Sequence, residues 1–250
     1  LDTKAVPLKL DTDLEKVLKR NTVKEVYASV QSDIDEARKL ITETEWEQRF
    51  SYRFNVASVE ALQSRVSLYK GEWQEAWDAA EAVLAGKSVL EDLNDAAADV
   101  PNSYKSVENI AALEISLSST INGAALATPD FLALYAEKDM RLDKYFAAAD
   151  EDGSRKSKKA GSNNFLCTFR VGEMYLTAAE AAARMDRLPQ ARARLLALMQ
   201  KRYAPEAYPV KAAAVNEMSK EALVKEILDE RARELAFEGH RWFDLRRTTR

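Results

Sequence analysis

The chain has 250 residues, 46% hydrophobic and 31% charged, with only 7 glycines and 6 prolines. That balance excludes a disordered chain and points to a mainly helical, globular one. A formal net charge of -4, with bases interleaved among acids, excludes a general nucleic-acid binder, which needs a basic face to displace counterions.

Residues 1–20 read as a short extended lead-in around Pro7. Asn21 or Thr22 then caps a helix in which Val23, Val26, Tyr27, Val30, Ile34, Ala37, Leu40 and Ile41 keep helical spacing to about residue 42. A second helix runs from about Val56 to Tyr69 through Val59, Leu62, Val66 and Leu68, and Gly71 breaks it. A third follows with Trp73, Ala76, Trp77, Ala80, Val83 and Leu84, and ends at Gly86. Gly71, Trp73 and Ala76 fall at the turn, the packing aromatic and the small contact position of a tetratricopeptide hairpin, although Ser64 and Ser67 depart from that repeat's usual Gly and Tyr. Met174 to Leu198 reads as a second such hairpin. Ala178, Ala179 and Ala182 permit close helix approach, Asp186 sits at the turn, and Leu188, Ala191, Leu195 and Leu198 line the return.

Between the hairpins, residues 87–168 read as a loop-rich insertion within one domain spanning 1–250. It holds Pro101-Asn102-Ser103-Tyr104, a β-leaning run Ile115-Ser116-Leu117-Ser118, the turn Asn122-Gly123 and a short helix around Pro129 to Tyr135. A polar, glycine-punctuated stretch from Glu151 to Asn164 is expected as an exposed loop, and Phe165 to Phe169 as a short strand. Long irregular insertions in helical scaffolds are where binding function tends to sit.

The last thirty residues carry the strongest pattern. Leu223, Ile227, Leu228, Leu235 and Phe237 form an apolar stripe, while Glu230, Glu234 and Glu238 recur every four residues on one face. Gly239 is a joint before a short element with Trp242, Phe243 and Leu245. Carboxylates so spaced usually form a solvated or salt-bridged face, so Arg241, Arg246 and Glu238 are expected to tie the helix end to its neighbours. Trp73, Trp77 and Trp242 are expected in the core, and Trp46 at an exposed position between helices.

The reactive residue types are few. Cys167 is the only cysteine, which excludes an intrachain disulfide or thiolate cluster, and it reads as a small buried hydrophobe. His240 is the only histidine and no G-x-S-x-G elbow accompanies it, so it reads as structural. Neither a metal, a cofactor nor catalysis is expected. No run of ~20 apolar residues is present.

Four places resemble the SusD/RagB family of outer-membrane nutrient-binding lipoproteins, in the family's order. These are Val26-Tyr27 with Asp33 to Ala37; Ala61 to Gly86; Phe169 to Leu176 with Ala179-Glu180-Ala181; and Glu230 to Arg247. The resemblance implies an all-α fold of tetratricopeptide-like helix hairpins with one long irregular insertion. It also implies a non-enzymatic, lipid-anchored protein on the cell surface, which captures glycan or peptide oligomers and hands them to a SusC-like TonB-dependent transporter. The start at Leu1-Asp2-Thr3, without Met, signal segment or lipid-bearing cysteine, reads as that of a fragment or engineered domain. The rival reading is a tetratricopeptide scaffold that presents a groove to a partner peptide; a carboxylate-dependent glycosidase is the third.

Sugar binding uses aromatic platforms beside amides and carboxylates. Asn102, Tyr104, Asn109, Tyr135 and Arg141 are the candidate ligand-binding residues, with Asn122, Asp130 and Asp139 as further polar groups of the insertion. The resemblance favours structural ion pairing for Arg170, Glu173 and Glu180.

Overall fold

Thr22 fits its position as a helix cap: its hydroxyl accepts the Glu25 N–H at 3.2 Å, and the Glu25 carboxylate accepts the Thr22 N–H at 2.7 Å. This capping box opens α1, Val23–Leu40. In the computed structural model, which describes residues 2–113, 124–159 and 166–248, the chain forms two units, Leu1–Thr42 and Glu43–Arg250. In the first unit the lead-in closes back on the start of α1. Ala5 donates to the Asn21 carbonyl at 2.7 Å, and Leu8 to the Asn21 side chain at 2.9 Å.

The second unit is built on two helix hairpins. Asn55 and Ser58 form a second capping box at the start of α2, Val56–Lys70. Gly71 takes a left-handed φ of 76°, a conformation cheap only for glycine, and α3, Trp73–Gly86, follows at once. The second hairpin is α6, Val171–Arg184, with α7, Leu188–Gln200, turned at Asp186 with a φ of 61°. Some eighty residues separate the hairpins in sequence, yet α3 packs directly on α6. Alanines make this possible: Ala76 and Ala80 on α3, and Ala178, Ala179 and Ala182 on α6, are all fully buried. Three further helices complete the frame: α8, Tyr208–Asn216; α9, Lys220–Glu234, capped by Ser219 and packed on α6; and α10, Arg241–Thr248.

The insertion carries the strands. β1, Asn109–Ala111, pairs antiparallel with β5, Phe169–Arg170, so its beginning lies beside its end. Between them a small sheet has the order β2 (Leu126–Ala127), β4 (Arg155–Ser157), β3 (Phe146–Ala149), with the short helices α4, Pro129–Leu132, and α5, Arg141–Tyr145. Leu93, Ala127, Tyr135, Tyr145, Phe146 and Ala236 give this region a core of its own.

Several expectations need correction. Arg155–Ser157, expected within an exposed loop, is the central strand of the small sheet, and Lys159 is buried. Trp242, expected in the core, is 64% exposed, because α10 turns Asp244 and Arg247 inward to ion-pair with Arg231 and Glu180. The α9 stripe holds at Leu223, Ile227 and Leu235 but not at Phe237, which follows the helix end with a φ of 60° and is exposed. The run Ile115 to Ser118, the turn Asn122-Gly123 and residues 160–165 lie outside the described residues.

Candidate ligand-binding site

A cavity of about 670 Å³ opens where three segments of the second unit meet, within the size range typical of small-ligand sites. Thr44 to Ala57 form one wall, the end of α3 with Gly86 and Lys87 forms the floor, and Tyr104, Ser106, Asn109 and Ile110 form the facing wall. One backbone bond braces these two walls against each other, Ala112 donating to the Ser51 carbonyl at 2.8 Å, and a second, from Thr168 to the Ala111 carbonyl at 2.8 Å, holds the end of β1 to the chain before β5.

Trp46 is the anchored aromatic of this cavity. Its indole N–H donates to the Phe54 carbonyl at 2.8 Å, and Phe50 meets it edge-on at 6.5 Å between centroids. The Arg53 guanidinium lies 5.0 Å from the Trp46 ring centroid and 4.6 Å from that of Phe50. A ring held by a hydrogen bond and a cation in this way presents a fixed apolar surface at little entropic cost. Around it the cavity offers the amides Gln48, Asn55 and Asn109, the hydroxyls Thr44, Ser51 and Ser106, the carboxylates Glu45 and Glu60, and the cations Arg53 and Lys87. A fixed ring among mixed hydrogen-bonding groups suits the apolar face and the hydroxyls of a sugar.

The five residues singled out in the sequence separate into two groups. Tyr104 and Asn109 line the cavity, and the Asn109 amide donates to the Tyr104 carbonyl at 3.1 Å, fixing that turn. Asn102, Tyr135 and Arg141 are buried elsewhere. The Asn102 amide donates to the Lys159 carbonyl at 3.0 Å, and the Tyr135 hydroxyl to the Arg233 carbonyl at 2.7 Å; burial pushes the Tyr135 phenol up. Trp46 is legible in the sequence as an aromatic but not as part of a cavity wall, because nothing near it in sequence signals the approach of residues 104–110.

Arg141 belongs to a second feature, a buried hub of charges in which its own place has no signal in the sequence. Its guanidinium bonds Asp139 at 2.8 Å, Glu230 at 2.7 Å and Glu234 at 3.1 Å, all fully buried. Glu234 also receives Arg170 at 2.8 Å and Arg202 at 2.9 Å. Glu238 receives Arg170 at 2.8 Å and Lys159, while Glu230 receives Arg233 at 2.7 Å. Burial opposes the charge on Glu234, but Arg202, Arg170 and Arg141 outweigh it and hold the carboxyl well below its usual range. For Glu238 burial is likewise overcome, by Arg170 and then Lys159, and its pKa falls to about 2. Burial brings the Lys159 ammonium down to about 8 against the attraction of Glu238.

The three glutamates of the terminal signature are therefore salt-bridged but not solvated. Arg231 and Arg247, not the exposed Arg241 and Arg246, tie the chain end down. The structural pairing expected for Arg170, Glu173 and Glu180 is observed, with Arg65 on Glu173 at 2.7 Å and Arg247 on Glu180 at 2.7 Å. His240 is buried, 4.0 Å from Glu173, and burial pulls its pKa to about 4 despite that carboxylate. Cys167 is a buried thiol, and burial pushes its pKa up. None of the hub carboxylates Asp139, Glu108, Glu230, Glu234 and Glu238 lines the cavity.

The fold is shared with solved structures. A SusD-like carbohydrate binding protein from Bacteroides vulgatus superposes with a TM-score of 0.78 at 23% identity, covering 100% of this chain and 57% of that one. A SusD superfamily protein from Bacteroides thetaiotaomicron gives 0.76 at 24% identity, covering 98% and 60%. A putative sugar binding protein from Bacteroides vulgatus gives 0.75 at 25% identity, covering 98% and 58%. This chain thus spans under two thirds of the length of each. No curated protein sequence matches. The model of the SusD family matches residues 119–250, more than half of the sequence. With the stacked hairpins and the arginine-clamped terminal glutamates, that match means that the chain belongs to the SusD family.

Proposed function

We propose that this chain is the non-enzymatic binding module of a cell-surface protein, taking an oligosaccharide into the cavity beside Trp46. The whole protein then passes its ligand to a SusC-like TonB-dependent barrel, and is held at the outer membrane by a lipid anchor. The observation that carries the reading is the Trp46 ring, pinned by Phe54 and Arg53 at the edge of a cavity rich in amides and hydroxyls. Tyr104 and Asn109 are the contact residues on the facing wall, while Asn102, Tyr135 and Arg141 take no part in this site. The non-enzymatic role is supported by the clustered carboxylates, which are neutralised by arginines away from the cavity. No helix among the described residues is long and apolar enough to cross a membrane.

The test is isothermal titration of the chain with maltohexaose, xylohexaose, mannohexaose and an oligogalacturonate. At least one is expected to bind, and Trp46→Ala to weaken that binding about tenfold, roughly 1.4 kcal/mol, with the helical circular dichroism unchanged. Equal affinity in both proteins removes Trp46 from the site.

A further inference from the structure

The facing wall of the cavity has little regular structure to hold it. Residues 104–108 are turns, and β1 is three residues long. Beside the β1–β5 pairing and the Ala112–Ser51 bond, this wall is held by the side chain of Glu108, which does not line the cavity and is fully buried. One carboxylate oxygen accepts the Glu91 N–H at 3.1 Å and a bond from Arg202. The other accepts Arg170 at 3.0 Å and the Gly172 N–H, in the first turn of α6, at 3.0 Å. The tether is reciprocal, since the Glu91 carboxylate accepts the Val107 N–H at 3.0 Å. There is no slack in it: a methyl group at Gly172 would stand 2.4 Å from the Arg170 guanidinium and 2.9 Å from the Glu108 carboxylate.

From this geometry we propose that Glu108 is a positioning residue of the binding cavity, coupling the wall of Tyr104, Ser106 and Asn109 to the arginines of the buried hub. The inference rests on the cavity being the oligosaccharide site. A carboxylate held by four donors from three separate segments, Glu91, Arg202 and the Arg170–Gly172 junction, has one position, and it gives the wall one position relative to Trp46. A ligand that meets preset walls spends less of its binding energy on ordering them. With the tether cut the wall is free to sample other positions, and binding weakens although every contact group remains.

The experiment compares Glu108→Gln with Glu180→Gln, which disturbs an equally buried ion pair on α6 outside the cavity. A third variant, Glu91→Ala, frees the Val107 N–H of the same wall without leaving the hub arginines short of a carboxylate. Affinity for maltohexaose, xylohexaose, mannohexaose and the oligogalacturonate is titrated well below each melting temperature, so that all proteins are folded. Melting temperature should fall in both glutamine variants. Affinity should fall about tenfold in Glu108→Gln and about threefold in Glu91→Ala, and should stay at the wild-type value in Glu180→Gln. If Glu108→Gln does not fold, the threefold loss in Glu91→Ala decides the matter. Wild-type affinity in the wall variants, or equal losses in all three, overturns the positioning role while leaving the site intact. A wild-type chain that binds none of the probes overturns the site and this inference with it.

Discussion

The hub and the cavity spend polar side chains in opposite ways. In the hub, Arg141, Arg170, Arg202, Arg233 and Lys159 interleave with Asp139, Glu108, Glu230, Glu234 and Glu238 until each charge has a partner of the other sign. In the cavity, amides, hydroxyls and charges of both signs line an open space around one pinned ring. A buried charge network must be satisfied throughout, because a lone charge in low dielectric is very costly, so it specifies one arrangement of the elements it joins. An open cavity tolerates exchange of its lining groups. The hub should therefore answer mutation with lost stability, and the cavity with lost affinity.

Glu234 offers the sharpest way to break that contrast. It takes hydrogen bonds from Arg141, Arg170 and Arg202, so Glu234→Ala leaves three buried guanidinium groups short of a carboxylate. Removal of one partner of a buried pair typically costs 3–5 kcal/mol, and a loss of about that size or larger is expected. Urea unfolding followed by circular dichroism measures it. A loss under about 1 kcal/mol would mean that the hub is dispensable and that stability resides in the alanine-lined hairpins.

The acid limb of stability is the next largest effect. Burial holds the His240 pKa in the folded state at about 4, against an ordinary imidazole value of 6.5. Between those pH values the unfolded chain binds the extra proton, so stability is full above pH 6.5 and is lost as the pH falls toward 4. The shift corresponds to roughly 3 kcal/mol at full development. Glu238 continues the loss below its unfolded value of 4.5, down to about 2. In His240→Gln the stability lost between pH 6.5 and 4 should shrink, while the loss at lower pH persists. Parallel pH profiles for the two proteins would show that His240 titrates freely in the folded state.

The two regions were also unequally legible in sequence. The hairpins were clear because their signals are local: apolar spacing, Thr22 as a cap, Gly71 and Asp186 at turns whose φ is positive. Glu230 and Glu234 were legible as sharing a face, but a stripe of carboxylates looks the same whether it meets water or arginines. Their partners Arg141 and Arg202 lie 89 and 32 residues away, from Glu230 and Glu234 respectively, and nothing beside either arginine distinguishes it from a surface charge. The cavity failed to show for the same reason. Trp46 and Tyr104 line one cavity because Ala112, just after β1, bonds Ser51 while β1 pairs with β5, and strands of three and two residues carry almost no periodicity.

The smallest predicted effect concerns α10, where two neighbouring aromatics of the terminal signature behave differently. Phe243 stacks on Tyr69 at 5.9 Å between centroids with 21° between planes, although it is half exposed. Trp242 projects outward at 64% exposure, and the inward contacts of its helix are made by Asp244 and Arg247. An aromatic pair is worth about 0.5–1.5 kcal/mol beyond area burial, whereas exposed positions usually change stability by less than about 0.5 kcal/mol. Phe243→Ala should thus cost this chain about 1 kcal/mol in urea unfolding, and Trp242→Gln less than half of that. Equal losses would mean that Trp242 packs against the protein in solution, and the signature aromatics would then act as one anchor for α10 and not as one inward and one outward ring.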